Sequence, residues 1–291
     1  MYEIKQSQLG DYTVYELKDR EVSSLKVIPE RGGIIIGLQV DGKDVLYLNE
    51  ETLLNPEANV RGGIPILFPI CGALENGEYT YKGKTYSMKN HGFARNMAWE
   101  VVGQKTEGRA SITLKLSSNE ETRKVYPFNF DILFTYELKG RELVILQEYV
   151  NRSDEPMPMY AGFHPYFNTS RKSVVYDLEA TQYLDYNDME VKRYDRELDL
   201  GDKKEAFLIL DPRGNEISFP LAEIQKQVTI KYGEEFKYLV IWSEAGKDFL
   251  CVEPWMGKMG DFNTMDDIPV VEPGESLVTR MSIMVASKGG N

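Results

Sequence analysis

Residues 130–151 read FDILFTYELKGRELVILQEYVN, and their alternation of apolar and polar side chains decides the fold class. A period of two residues is typical of a β-strand with one buried face. The alternation stops at Lys139-Gly140-Arg141 and then resumes, and a short break that contains glycine predicts a hairpin. We therefore expect two long antiparallel strands that are joined near Gly140.

The same pattern recurs along most of the chain. Asp41-Gly42 separates two apolar runs, which is a strong hairpin signal, and a second turn is expected at Lys82-Gly83-Lys84. Spacing typical of long helices is scarce, although one short helical turn is expected within residues 221–226. Further alternating segments are ASITLKLSS (110–118), QVTIKY (227–232), YLVIWS (238–243) and LVTRMSIMV (277–285).

These segments predict an all-β protein, built as a large antiparallel β-sandwich. No low-complexity linker, fixed-period repeat or shift in composition marks a boundary, so residues 1–291 are expected to form a single domain. We expect the terminal SKGGN (residues 287–291) to be an unordered tail.

Charge and cysteine content limit the partners. The 291 residues carry a net charge of −12, and such a field repels nucleic acid and anionic membrane surfaces. No apolar run approaches the ~20 residues needed to cross a bilayer, and no signal-peptide pattern is visible. Cys71 and Cys251 cannot build a disulfide framework, so we expect buried free thiols. The sequence thus predicts a cytoplasmic protein with a small-molecule ligand, and two arginines could still attract a small anion.

Histidine is scarce, and its two positions are informative. His91 lies in KNHGFARNMAW and His164 in YAGFHPYFN, and both segments are rich in glycine and aromatic residues. A lone histidine is more often structural, but two in such settings favour a chemical role. Imidazole has an ordinary pKa of about 6.5, so it can give or take a proton near neutrality.

Glu253 is the candidate proton acceptor. It follows an apolar strand in KDFLCVEPWMG, and Pro254 ends regular strand pairing. A carboxylate among Leu250, Val252 and Trp255 is partly desolvated, which raises its pKa and makes it a better base. A buried glutamate paired with an arginine is the structural alternative.

Two arginines are candidate binding residues. Arg61 precedes Gly62-Gly63 in RGGIPILFP, and Arg95 ends HGFAR. Paired glycines let the backbone turn sharply or approach a ligand closely. A guanidinium group suits hydroxyls, carboxylates or phosphate oxygens, and a surface salt bridge is the alternative role. The aromatic residues that could line a sugar site are Phe163, Tyr166, Phe167, Trp99 and Trp255.

Metal and nucleophile chemistry has little support in the sequence. It contains no GxSxG, HExxH or calcium-loop motif. His91, His164 and Glu253 could together bind a metal ion. Neither histidine has a ligand partner two or four residues further on, so we expect neither a metal nor a cofactor.

Five short segments occur along the chain in this order: RGGIPILFP, HGFAR, GFHPYF, LCVEPW and a terminal PGES. With them the chain is similar to the aldose 1-epimerase (galactose mutarotase-like) family over nearly its whole length. It resembles most the bacterial branch encoded beside lactose and galactose genes, and it is also similar to hexose-6-phosphate mutarotases. The resemblance implies a galactose mutarotase-like supersandwich and an isomerase that exchanges the α and β anomers of an aldohexose without a cofactor. We expect a monomer or a homodimer.

The resemblance also implies individual roles. His164 corresponds to the general acid that protonates the ring oxygen, and Glu253 to the base that takes the proton of the C1 hydroxyl. His91, Arg61 and Arg95 correspond to residues that bind sugar hydroxyls or, for the two arginines, a phosphate. We expect His164 to be protonated at pH 7 in the reactive complex, helped by Glu253 nearby.

One element of the family pattern is altered. Relatives carry a substrate-binding aspartate about midway between the second histidine and the glutamate, where this chain reads GDKKEAFLILD (201–211). Asp202, Glu205 and Asp211 are all candidates, and Glu205 stands where many relatives have aspartate before an apolar run. We name Glu205 as the substrate-binding candidate, and the sugar that the protein selects is the expectation most affected by this altered position.

Two other functions fit the same residues. Arg61 and Arg95 motivate a hexose-6-phosphate mutarotase, which would turn over phosphorylated sugars more efficiently than free ones. The altered aspartate motivates a catalytically silent carbohydrate-binding module, which would bind sugar saturably without changing the rate of anomer exchange.

Overall fold

Antiparallel strands dominate the computed structural model, which describes residues 1–20, 22–265 and 267–287. The predicted all-β fold is thereby confirmed. Of the tail predicted at residues 287–291, Ser287 ends the last strand and residues 288–291 lie outside the described residues. In chain order the strands are β1 (Tyr2–Leu9), β2 (Tyr12–Asp19), β3 (Ser23–Ile28), β4 (Ile34–Val40), β5 (Lys43–Asp44), β6 (Ile66–Leu67), β7 (Glu78–Tyr81), β8 (Lys84–Ser87), β9 (Glu100–Lys105), β10 (Ala110–Ser117), β11 (Phe130–Lys139), β12 (Glu142–Asn151), β13 (Met157–Pro158), β14 (Gly162–Phe163), β15 (Tyr166–Asn168), β16 (Ser173–Val175), β17 (Asp177–Glu179), β18 (Gln182–Asp185), β19 (Glu190–Arg193), β20 (Glu197–Asp199), β21 (Phe207–Ile209), β22 (Arg213–Leu221), β23 (Lys226–Tyr232), β24 (Tyr238–Trp242), β25 (Phe249–Trp255), β26 (Val270–Val271) and β27 (Ser276–Ser287).

Short helices interrupt these strands. The sequence predicted one helical turn within residues 221–226, and a 3₁₀ turn occurs there. It did not predict helix α2, whose start is a capping box in which Asn119 and Thr122 exchange side-chain-to-backbone hydrogen bonds. A capping box is a local signal that does not depend on hydrophobic period. The α-helices are α1 (Glu50–Leu54), α2 (Glu120–Val125) and α3 (Asp261–Thr264), and the 3₁₀ turns are Glu75–Gly77, Ala94–Asn96 and Ala222–Ile224.

Most strands belong to three large sheets. The N-terminal sheet has the order β1-β2-β3-β4-β5. The first eight-stranded sheet has the order β17-β22-β23-β27-β12-β11-β10-β9. The second eight-stranded sheet has the order β19-β18-β21-β24-β25-β14-β6, and β15 also pairs with β25. Smaller two-stranded pairs are β7-β8, β13-β26 and β16-β20.

The hairpin predicted from residues 130–151 forms the centre of the first eight-stranded sheet. Strands β11 and β12 pair in register from Phe130 opposite Asn151 to Lys139 opposite Glu142. The turn places Gly140 at φ 59°, a left-handed conformation that glycine adopts without steric cost. On β11 the side chains that alternation sends inward are all buried: Phe130, Ile132, Phe134, Tyr136 and Leu138.

Aromatic side chains fill the space between the two eight-stranded sheets. Phe134 of the first sheet contacts Phe163 of the second, with ring centroids 5.9 Å apart. Phe219 and Phe167 make a similar contact at 4.9 Å. Full burial of one such side chain stabilises the fold by roughly 1.5–3 kcal/mol. These contacts cover the face of the second sheet that meets the first sheet. The other face of the second sheet is left available for a site.

The part of the chain that the structure describes contains no helix that is both long enough and apolar enough to span a bilayer. The assignment of residues 1–291 to a single domain stays a prediction.

Candidate active site

Strand β25 carries Glu253. Alternation along this strand sends Leu250 and Val252 into the main core and places Cys251 and Glu253 on the opposite face. The Glu253 side chain is only 1% exposed, and the indole Nε1–H of Trp255 donates to its Oε2 at 3.1 Å. As the sequence predicts, burial raises the pKa of this carboxyl well above its ordinary value.

His164 lies at the break between β14 and β15. Pro165 follows it and cannot donate a ladder hydrogen bond, while the backbone N–H of His164 donates to the carbonyl oxygen of Pro65 at 3.2 Å. The imidazole stacks on the ring of Tyr166, with centroids 4.6 Å apart and an interplanar angle of 6°. This stacking fixes the plane of the ring against the second eight-stranded sheet.

His164 and Glu253 meet directly. The distance from His164 Nδ1 to Glu253 Oε1 is 3.4 Å, longer than a usual hydrogen bond, and Nδ1 is buried without a hydrogen-bond partner among the described residues. Burial, followed by the charges of His91, Arg95 and Arg61, lowers the pKa of His164 well below its ordinary value. Burial thus disfavours the charged form of both groups, and protonation of His164 in the reactive complex stays a prediction.

His91 lies beside this pair in a tight turn. Its φ is 68°, and its Nδ1 contacts the carbonyl oxygen of Cys71. A carbonyl can only accept, so Nδ1 carries the hydrogen and Nε2 keeps its lone pair. Burial, and then the charge of Arg95, lowers the pKa of His91 to about 3. Its ring lies 5.6 Å from that of His164 and 5.9 Å from that of Trp255. His91 is therefore a fixed, neutral hydrogen-bond acceptor.

Paired glycines place Arg61. Gly62 has φ 141° and Gly63 has φ 65°. A Cβ on Gly62 would lie 2.5 Å from the Cα of Leu48, and one on Gly63 would lie 2.1 Å from the carbonyl oxygen of Ile35. The sequence indicated that the backbone approaches another group closely at these glycines. That group is neighbouring backbone, and the tight packing fixes the position of the preceding Arg61.

The Arg61 side chain covers an aromatic wall. Its guanidinium carbon lies 5.1 Å from the ring centroid of Trp242, and it is within hydrogen-bonding reach of the Tyr166 hydroxyl. A guanidinium group over an indole is attracted to the ring face. Trp242 also meets His164 edge to face, with centroids 5.8 Å apart, so Arg61, Trp242 and His164 form one packed wall.

Arg95 is held at the turn that carries His91. It is not among the residues that line the cavity. Its Nη2 donates to the carbonyl oxygen of Asn90 at 3.3 Å, and its Nε is buried without a partner among the described residues. Burial lowers its pKa. Arg95 thus contacts the turn that carries His91, and its charge acts on His164 and Glu253.

These residues surround a cavity of about 550 Å³, within the range typical of ligand pockets, about 300–1,000 Å³. Six of the predicted site residues line it: Arg61, His91, His164, Glu205, Glu253 and Trp255. The other lining residues are Gly72, Ala73, Asn90, Tyr186, Lys204, Ala206, Val240, Trp242 and Met259.

Glu205 lies exposed at the mouth of the cavity, in a rim segment formed by residues 204–206. The Asn187 side chain accepts from the backbone N–H groups of Lys204 and Glu205, both at 3.0 Å, and donates to the carbonyl oxygen of Glu205 at 3.1 Å. Asp185 accepts a hydrogen bond from Asn187 at 2.8 Å. The Trp242 indole donates to the carbonyl oxygen of Lys204 at 3.2 Å. The rim segment is thus held by its backbone, which leaves both charged side chains for a ligand.

Sequence reasoning missed several lining residues. Trp242 was read only as part of a strand, although the alternation of YLVIW places it on the same face as Val240, which pairs with Glu253. Lys204 directly precedes Glu205, but the sequence did not mark it as a site residue. Asn90 immediately precedes His91, but nothing in its surroundings marks it as a site residue.

Cys251 is the residue that completes a set of metal-type ligands. One ligand atom each from His164, Cys251 and Glu253 lies within 4.8 Å of the others. The sequence offered His91 as the third ligand beside His164 and Glu253. Alternation on β25 brings Cys251 instead, because residues two apart on a strand share a face.

Comparison with known proteins decides the family. A family model described as aldose 1-epimerase matches residues 13–283. The chain belongs to the aldose 1-epimerase family. It is therefore an isomerase that interconverts sugar anomers, and the family and reaction class predicted from the sequence are confirmed.

Several individual proteins are moderately similar to this chain. The solved structure of Slr1438 from Synechocystis sp. PCC 6803 superposes with a TM-score of 0.92 at 35% identity, covering 99% of this chain and 100% of that one. Protein LacX of Lactococcus lactis subsp. lactis is 25% identical, in an alignment that covers 79% of this chain and 85% of LacX. A candidate glucose-6-phosphate 1-epimerase of Cenchrus ciliaris is 25% identical, in an alignment that covers 83% of this chain and 72% of that protein.

Proposed function

We propose that this epimerase acts on an aldohexose in the cavity beside His91, with His164 and Glu253 as its acid and base. The observation that carries the proposal is the 3.4 Å approach of the His164 imidazole to the Glu253 carboxyl at the cavity wall. Exchange of anomers requires one group that takes a proton and one that gives a proton. This pair can supply both.

Ring opening moves two protons and breaks one bond. Glu253 takes the proton of the C1 hydroxyl, His164 gives a proton to the ring oxygen O5, and the C1–O5 bond breaks to leave an open-chain aldehyde. Rotation about the C1–C2 bond and the reverse proton transfers close the ring as the other anomer.

The cavity walls supply the binding contacts. His91 Nε2 accepts a hydrogen bond from a ring hydroxyl, Arg61 donates, and Glu205 accepts at the rim. The face of Trp255 packs against the C–H face of the pyranose, as aromatic rings do in sugar sites. Arg95 supports the Asn90–His91 turn, so its contribution is to position His91.

The test is an anomer-exchange assay by polarimetry or ¹H NMR. We expect the protein to accelerate the approach of freshly dissolved α-glucose or α-galactose to anomeric equilibrium. A protein that binds these sugars saturably but leaves exchange at the spontaneous rate would be a binding module and would refute the proposal for free hexoses.

A hexose 6-phosphate is the second candidate substrate, because two cations line the cavity of an otherwise acidic protein. Arg61 and Lys204 both line it, whereas the net charge of the chain is −12. Similarity to the candidate glucose-6-phosphate 1-epimerase supports the same reading. Replacing Arg61 or Lys204 with Ala should then raise KM for the phosphorylated sugar more than KM for the free sugar.

A cytoplasmic location and a monomeric or homodimeric state belong to the same proposal. Cys71 and Cys251 are both buried free thiols, which is typical of proteins in a reducing compartment.

A further inference from the structure

Cys251 adds a third donor to the pair formed by His164 and Glu253. Cys251 and Glu253 share a face of β25, and Cys251 lies opposite Tyr166 of β15, two residues after His164. One sulfur, one ring nitrogen and one carboxylate oxygen consequently lie within 4.8 Å of one another, all from buried residues. Neither the anomer exchange nor the binding of sugar requires this thiol.

We propose that His164, Cys251 and Glu253 form a binding site for a thiophilic divalent cation such as Zn²⁺, and that the bound cation blocks anomer exchange. Inhibition by the cation rests on the proposed function, because it requires His164 and Glu253 to carry the proton transfers. Binding of the cation does not depend on the proposed function.

The donor set and its spacing suit zinc. Zn²⁺ is bound by thiolate, imidazole and carboxylate at about 2.0–2.3 Å, often by three protein ligands and one water. Tetrahedral bonds of that length place ligand atoms about 3.3–3.8 Å apart. The 3.4 Å between His164 Nδ1 and Glu253 Oε1 already fits, and the remaining pairs must close by about 1 Å at most. The cavity beside His164 and Glu253 leaves room for the fourth ligand.

A second observation points to a ligand at this place. His164 is 6% exposed, and its Nδ1 is buried without a hydrogen-bond partner among the described residues. A buried polar atom without a partner is rare and costly. Nδ1 lies 3.4 Å from Glu253 Oε1, so a cation bound between the three residues would give this nitrogen a partner.

The thiolate bond provides selectivity. Arg61 and Arg95 lie close enough to act on His164 electrostatically, and their charges oppose any cation. Mg²⁺ prefers oxygen ligands and gains little from sulfur, so it should not overcome that opposition. On binding, the Cys251 thiol releases its proton to solvent, its sulfur lone pair forms the bond to zinc, and no electron is transferred.

The experiment uses the full-length protein with Co²⁺ and Zn²⁺ as probes. Wild type is compared with Cys251→Ala and with the control Cys71→Ala, which removes the other buried thiol, whose Sγ donates to the Gly257 carbonyl oxygen at 3.2 Å. Co²⁺ binding is followed by the charge-transfer absorption of a cobalt–thiolate bond, and Zn²⁺ binding by equilibrium dialysis. Anomer exchange is measured with and without Zn²⁺, and Mg²⁺ serves as the oxygen-preferring control.

We expect cobalt–thiolate absorption in wild type and Cys71→Ala but not in Cys251→Ala, and a loss of Zn²⁺ affinity of at least about 10–100-fold in Cys251→Ala. That variant should keep its exchange activity and lose the inhibition by Zn²⁺. If it does not fold, Cys251→Ser keeps the volume and provides a poor zinc ligand.

Absence of the absorption in wild type, or its persistence in the Cys251 variant, would overturn the binding site. If anomer exchange continues at the same rate with Zn²⁺ bound, the proposed inhibition is wrong, while the binding site stands. If no sugar is turned over by any form, the proposed function fails, while absorption and dialysis still decide whether the cation binds.

Discussion

At the scale of single residues, the carboxyl of Glu253 gives the most direct test of the chemistry. Its Gln variant keeps an oxygen that accepts from the Trp255 indole, so the local packing should survive. The amide cannot take the proton of the C1 hydroxyl, and we expect the exchange rate to fall by at least about 100-fold. His164→Ala should have a comparable effect on the rate measured by ¹H NMR.

The matched control for this prediction is Glu216→Gln, an exposed carboxylate on β22 that pairs with Lys231 at 2.7 Å. It should keep the wild-type rate and the wild-type melting temperature. A fully active Glu253→Gln protein would remove this residue from the mechanism.

His91 couples backbone conformation to substrate binding. Its φ of 68° lies in the left-handed region, where asparagine is tolerated and a β-branched residue is not. We expect His91→Val to lower the free energy of unfolding by about 1–2 kcal/mol, measured by urea denaturation. His91→Asn should keep the wild-type free energy of unfolding. It should raise KM, because the hydrogen-bond acceptor of the imidazole ring is lost. Equal stability of both variants would show that the turn does not depend on this conformation.

At the scale of structural elements, the rim segment depends on a side chain that never enters the cavity. Asn187 makes three hydrogen bonds to the backbone of Lys204 and Glu205. We expect Asn187→Ala to raise KM by about 3–10-fold with little change in kcat, because each lost hydrogen bond is worth about 0.5–1.5 kcal/mol. Steady-state kinetics of anomer exchange measure both constants.

The exposed Asn215 on β22 offers the control, and its Ala variant should leave KM unchanged. A fall in kcat with unchanged KM in Asn187→Ala would contradict a positioning role at the rim and would place Asn187 in the reaction itself.

Strand alternation explains why some site residues could be predicted and others could not. The position of Glu253 after an apolar run predicted its burial, because period-two geometry is local. The place of Arg95 was not predictable in this way. It follows His91 by four residues in the HGFAR motif, and it lies in a 3₁₀ turn over Ala94–Asn96. The choice between lining the cavity and supporting it depends on that local bend.

At the scale of the whole molecule, Asp41 joins separate parts of the sandwich. It lies in the turn between β4 and β5 of the N-terminal sheet, and its carboxylate contacts Arg141 at 2.9 Å and Lys226 at 2.5 Å. Those cations belong to the β11–β12 hairpin and to the start of β23. Lys226 is 6% exposed, so the loss of its partner leaves a buried charge uncompensated.

We expect Asp41→Asn to lower the free energy of unfolding at pH 7 by about 1–3 kcal/mol, measured by urea denaturation. Asparagine tolerates the φ of 50° found at this position, so the turn itself should persist. The exposed Asp202→Asn provides the control. A variant as stable as wild type would show that solvent already screens these contacts.

The same carboxylate predicts a pH dependence. Hydrogen bonds from Arg141 and then Lys226 hold the pKa of Asp41 below its ordinary value of 3.8. The unfolded chain therefore takes up this proton first, and the stabilisation is present above pH 3.8 and is lost as the pH falls through the lower folded value. Thermal unfolding below about pH 4 should depend less steeply on pH in Asp41→Asn than in wild type.

The sequence by itself determined the strand content, the hairpin at Gly140, the family and six of the residues that line the cavity. Each of these depends on a local pattern: alternation along a strand, a glycine at a turn, or a short motif. It did not determine that Arg95 does not line the cavity, that Lys204 and Trp242 line it, or that Cys251 joins His164 and Glu253.

The tertiary structure decided these points because they concern distances between residues far apart in the chain. The same is true of the proton on the His164–Glu253 pair. A sequence shows that both groups can titrate, but the free energy of each charge depends on how completely the assembled sheets exclude water and on which cations they bring near.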